Sequence, residues 1–180
     1  MKNIITKQID KSLYREILIY GSGLVLLFAC SQINIPLDPV PITMHSVGVM
    51  LIALLYNMKR GLISYFLYLT LGSLGLPMFS SYSSGLNIIF GSCFGYFIGF
   101  GLAIYLMNLI KIKIGMDSFA KIALNCALGT LVLYSCGILW LSITLGFKQA
   151  VIVGLIPFIV PGIIKTIALA GMLRILKISK

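Results

Sequence analysis

Acidic side chains are nearly absent from this 180-residue chain, which holds only four: Asp10, Glu16, Asp38 and Asp117. Their scarcity excludes paired-carboxylate chemistry and the Asp/Glu/His relay that a proton-driven pump needs inside the membrane. Histidine occurs once, at His45, with no Cys, Asp or Glu at a ligand spacing. The four cysteines, Cys30, Cys93, Cys126 and Cys136, lie in apolar stretches without a C-x-x-C pair, so no metal site, cofactor or redox couple is expected. They read as small apolar packing residues. No G-x-x-x-x-G-K-[ST] phosphate loop occurs, so the chain does not hydrolyse ATP alone. An intramembrane enzyme would need a nucleophile and a base in contact, and only His45 and scattered hydroxyls are on offer; no enzyme is expected.

What the chain does contain is apolar: 59% hydrophobic residues against 10% charged, and a mean hydropathy of +1.07. A water-facing surface does not tolerate that ratio, whereas a lipid-facing one requires it. The formal net charge of +10 does not indicate nucleic acid, because the basic residues form small clusters at the ends of apolar runs rather than an aromatic-interleaved stripe. Clusters so placed orient a chain in a bilayer and touch anionic headgroups.

Six apolar segments qualify as membrane helices, over residues 17–33, 43–58, 61–77, 87–110, 119–143 and 150–173, the second and third being short. Six crossings with the N-terminus in the cytoplasm place Lys2, Lys7, Lys11, Arg15, Lys59, Arg60, Lys111, Lys113, Lys121, Arg174, Lys177 and Lys180 on the cytoplasmic side, 12 of the 14 basic residues. Lys148 falls in an external turn and Lys165 inside the last span. Five or seven crossings would destroy this asymmetry. A cleaved signal peptide is not expected, since no A-x-A site follows the first apolar run. The expected fold is all-α: a polytopic bundle of six transmembrane helices with both termini cytoplasmic, one domain over 1–180 led by a short basic segment, 1–16.

All six prolines, at 36, 39, 41, 77, 157 and 161, fall in the external half of this topology. Irregular backbone at membrane depth must be buried in protein or line a wet cavity, which points to a cavity open to the outside; prolines that simply end helices account equally for the first four. Pro157 and Pro161 lie inside an apolar span and are expected to break or kink it, with a helix restarting near Gly162. Lys165 follows one turn later. A lysine at this depth costs about 2.5–3.5 kcal/mol on insertion scales, and no acidic residue lies in any span to offset it. Two readings stand: an anionic ligand supplies the partner, or the lysine snorkels toward the cytoplasmic headgroups, where Arg174 lies about 13 Å further along the helix. Two polar external loops, 31–46 and 80–87, either lid a small polar ligand or are simply solvated.

Pro39-Val40-Pro41-Ile42-Thr43, then Tyr68-Leu69-Thr70-Leu71-Gly72-Ser73-Leu74-Gly75-Leu76-Pro77, form a recognisable pair of motifs. They are followed in order by Gly91, Gly95-Tyr96, Gly99-Phe100, Gly137, Trp140-Leu141, Ile156-Pro157-Phe158 and Lys165. On these residues, along nearly its whole length, the chain resembles the BioY family. The resemblance implies a biotin-binding substrate subunit (S component) of an energy-coupling-factor (ECF) transporter in a prokaryotic cytoplasmic membrane. Its partners would be a transmembrane coupling subunit and two cytoplasmic ATPases. The alternatives are an S component for another small carboxylate vitamin and a solitary biotin transporter without ATPase partners.

Carried onto this sequence, the resemblance implies that Lys165 meets the biotin carboxylate. Phe79, Tyr82, Tyr96 and Trp140 would pack on the apolar ring, and Thr43, Ser83, Ser84 and Asn87 would serve the ureido group. His45 stands where the family usually has glutamine, Gly162 where it has an aspartate three residues before the lysine, and Gly91-Ser92-Cys93-Phe94-Gly95-Tyr96 where it has Gly-Pro-Thr-Gly-Gly-Tyr. For docking to a coupling subunit, Gly21, Val25 and Ala29 share one face of the first helix and Ser22, Leu26 and Cys30 the adjacent one; neither is a clean small-residue stripe.

Overall fold

A computed structural model describes residues 2–175, with side chains from residue 13 onward. The basic side chains of Lys2, Lys7, Lys11, Lys177 and Lys180 lie outside it. The chain runs α1 (Lys2–Gln32), β1 (Asn34–Ile35), β2 (Ile42–Thr43), α2 (His45–Leu55), α3 (Met58–Ser73), a single 3-10 turn (Ser80–Tyr82), α4 (Leu86–Ile89), α5 (Phe94–Ile114), α6 (Phe119–Leu145), α7 (Phe147–Gly154) and α8 (Ile156–Ile175). It is a multi-pass helical membrane protein. Among the described residues, four helical stretches, Leu13–Gln32, Phe94–Ile114, Phe119–Leu145 and Ile156–Ile175, are long and apolar enough to cross a bilayer; α2 and α3, at 11 and 16 residues, fall short of that length.

Helix boundaries follow local chemistry. Asn57 opens α3 by accepting the Arg60 N–H at 2.9 Å, and Ser118 opens α6 by accepting the Lys121 N–H at 3.3 Å. Gly115 and Gly146, at φ +73° and +77°, end α5 and α6 in the left-handed region, where a Cβ would be strained.

The expected break in the last span is present but displaced. α7 ends at Gly154, and Leu155, at φ −123° and ψ −54°, separates it from α8. The helix does not restart at Gly162: α8 runs unbroken through Pro161. Pro157 sits in the first turn of α8, where its missing N–H would have had no helical acceptor, so it starts a helix rather than interrupting one. Pro161 removes a single later donor, which the packed helix absorbs.

Close packing of α5 on α6 builds the centre of the bundle. A Cβ at Gly99 would lie 2.9 Å from the Leu133 carbonyl, and one at Gly95 would collide with the Cys136 carbonyl, so both positions must be glycine for the backbones to meet. Charged contacts gather at one end of the bundle. Arg60 pairs with Glu16 between α3 and α1, Lys121 with Asp117 at 2.6 Å, and Arg174 donates to the Asp117 carbonyl at 2.7 Å. Lys111 of α5 caps α2, donating to the carbonyls of Ala53, Leu54 and Tyr56 at 3.2, 3.0 and 2.6 Å.

At the other end, α1 supports a roof. Ser31 donates to the Met78 carbonyl at 2.8 Å, while Gln32 donates to Phe79 O at 3.1 Å and accepts the Tyr82 N–H at 3.0 Å. The antiparallel pair β1–β2, in register Asn34 with Thr43 and Ile35 with Ile42, closes the loop 36–41 beside it.

Candidate functional site

Under this roof lies a cavity of about 450 Å³, a size usual for small-molecule sites. Its mouth is formed by Pro36 to Pro41 with Ser80, Ser81 and Ser83, and its interior by residues of α2, α3, α5, α6 and α8. Lys165 reaches into it from α8. Its Nζ donates to the Thr43 carbonyl at 2.5 Å and to Ser46 Oγ at 3.3 Å. The ammonium therefore points to the roof end, away from Arg174, and does not snorkel. Among the described residues its hydrogen-bond partners are neutral, and both ion pairs formed there involve other residues.

His45 opens α2, with its backbone N–H 3.3 Å from Thr43 Oγ1. Its ring is stacked on Tyr68 at 4.8 Å and meets the edge of Phe100 at 4.8 Å. It is 4% exposed, and neither ring nitrogen has a hydrogen-bond partner among the described residues. Tyr68 donates to Met78 O at 3.0 Å and packs edge-on against the buried Phe79, so the histidine, the α3 tyrosine and the roof form one continuous wall. Opposite, Tyr96 donates to the Gly154 carbonyl at 2.7 Å, tying α5 to the end of α7. Ser83 spends its proton on Ser80 O at 2.7 Å, and Asn87 lines the cavity with its surface largely exposed.

Seven of the residues expected from sequence share this cavity: Thr43, His45, Phe79, Ser83, Asn87, Tyr96 and Lys165. Tyr82 and Ser84 do not line it. Ser81 and Tyr82 adopt φ of +55° and +57°, which turns the Tyr82 ring outward to 66% exposure, with its edge toward Phe28 at 6.4 Å. Trp140 also stands behind the wall rather than in it: its indole N–H bonds Gly91 O at 3.0 Å and its ring meets Phe94 at 4.6 Å. Ser46, Tyr68, Tyr134 and Phe158 also line the cavity, though the sequence motifs assign none of them a ligand contact. Ser46 was within reach of inference, because a helix starting at His45 puts it in the first turn, next to the proline-rich motif. Gly162 leaves room for Tyr134, whose phenol oxygen would lie 3.1 Å from a Cβ at that position. No group of three His, Cys, Asp or Glu suited to a metal ion occurs among the described residues.

The profile of the BioY family matches residues 2–179. The chain belongs to the BioY family. Its relatives include the "Probable biotin transporter BioY" of Rickettsia prowazekii, 36% identical over 155 residues, covering 86% of this chain and 79% of the relative. The protein of the same description from Pyrococcus horikoshii is 34% identical over 151 residues, covering 84% and 89%. A crystal structure of "the S-component for biotin from an ECF-type ABC transporter" superimposes with a TM-score of 0.74 at 28% identity, covering 95% of this chain and 93% of that one. This BioY-family chain thus shares the S-component fold, and its family is one of transport components rather than enzymes.

Proposed function

We propose that the cavity captures biotin from the external side, and that the chain is the substrate-specificity component of an ECF-type uptake transporter. The observation that carries this reading is the Lys165 ammonium on the cavity wall, whose hydrogen-bond partners among the described residues are neutral oxygens. A charge at that depth is stabilised by an opposite charge, and the biotin carboxylate supplies one. Aromatic walls from Phe79 and Tyr96 suit the apolar ring, and the Ser83 hydroxyl oxygen and the Asn87 amide offer hydrogen-bonding groups to the ureido group. The names of the relatives and the S-component neighbour support the same ligand.

The chain works as one domain in a prokaryotic cytoplasmic membrane, crossing it six times, with α2 and α3 as short crossings and both termini cytoplasmic. The basic residues at the α3, α5 and α8 ends support this orientation. Having no phosphate loop, the chain takes its energy from a transmembrane coupling subunit and two cytoplasmic ATPases.

Equilibrium binding of labelled biotin to the purified chain tests the reading, with Lys165→Ala and biotin methyl ester as paired controls. Saturable binding weakened by either change, and no further by both together, is the expected result. No binding to folded protein would overturn biotin as ligand, and a panel of other small carboxylate vitamins would then identify the substrate. Uptake that persists in cells lacking the coupling subunits would mark a solitary transporter instead.

A further inference from the structure

Hydroxyls within helices of this chain are mostly satisfied by their own helix. Ser22, Thr130, Ser135 and Ser142 donate to carbonyls three or four residues back, at distances from 2.6 to 2.9 Å. Ser46 is different. The carbonyl three residues before it, that of Thr43, receives Lys165 at 2.5 Å, and Ser46 Oγ itself sits 3.3 Å from the same ammonium. An ammonium only donates, so Ser46 Oγ accepts there and its own proton has no acceptor among the described residues. Lys165 in turn commits two of its three N–H donors to Thr43 and Ser46 and keeps the third.

The cavity wall therefore carries two uncommitted donors, one O–H and one N–H, on heavy atoms 3.3 Å apart. A carboxylate has two equivalent oxygens and can take one donor on each, whereas a methyl terminus takes neither. We propose that Ser46 is the second donor to the ligand carboxylate, so that Ser46 and Lys165 together select for a free acid. This inference rests on the Lys165–carboxylate reading above. It assigns Ser46 a direct ligand contact in addition to its hydrogen bond with the lysine.

The test uses the full chain in lipid nanodiscs, with labelled biotin and, as competitor, an analogue carrying methyl in place of the carboxyl. Ser46→Ala should weaken biotin binding about tenfold and leave the affinity of the methyl analogue within about twofold. Ser46→Thr, which keeps the hydroxyl, should bind biotin as the wild type does. If Ser46→Ala lowers the folded yield, Ser46→Cys keeps the volume with a poor donor and should reproduce the selective loss. Equal loss for both ligands would make Ser46 merely structural and overturn the proposal. Unchanged biotin binding in Ser46→Ala, with Lys165→Ala still impaired, would overturn it while leaving the lysine reading intact. Wild-type biotin affinity in Lys165→Ala would instead sink the lysine reading itself.

Discussion

The Lys165 ammonium and the Thr43 carbonyl, 122 residues apart in sequence, meet at 2.5 Å. The contact ties α8 to the end of the β1–β2 ribbon and fixes the ammonium at the cavity wall. It also explains why the lysine does not extend toward the opposite membrane face.

Lys111 is expected to carry stability rather than ligand contact. Its three bonds satisfy the carbonyls that end α2, and Lys111→Met would leave them without that donor. A loss of about 1–3 kcal/mol is expected, read as a lower melting temperature in detergent, with biotin affinity of the folded protein nearly unchanged.

Tyr82 and Tyr96 should separate cleanly. Tyr82→Ala removes a ring that faces outward, so biotin binding should stay within about twofold. Tyr96→Phe deletes the bond to Gly154 O beside the cavity and should cost about 1 kcal/mol of stability. Parallel melting and binding curves would check both.

Gly99→Leu should prevent α5 from seating on α6, because even a Cβ there meets the Leu133 carbonyl at 2.9 Å. Loss of monodisperse protein on size exclusion, with α1 substitutions such as Gly21→Ala harmless by comparison, is the expected outcome. Gly21 has open space around it.

Topology is checked with a membrane-impermeant maleimide on intact cells, in a background whose four cysteines are replaced. Gln149→Cys, after the α6–α7 turn, should be labelled from outside. Lys59→Cys, at the start of α3, should be labelled only after the membrane is opened.

Hydropathy and charge are properties of the sequence read along one dimension, and a bilayer selects on them directly. The apolar runs, the basic clusters at their ends and the isolated Lys165 therefore point to a polytopic helical protein with one lysine at depth that either meets an anion or snorkels. Irregular segments carry no such signal. The outward turn of Tyr82 depends on positive φ at two successive residues, and the break at Leu155 rather than Gly162 depends on where Pro157 falls within a helical turn. Trp140 lies behind the wall because its indole has a carbonyl partner on another segment. Ser46 and Thr43 became partners of Lys165 only when α2 and α8 packed together, since a hydrogen bond between residues so distant in sequence is decided by three-dimensional packing.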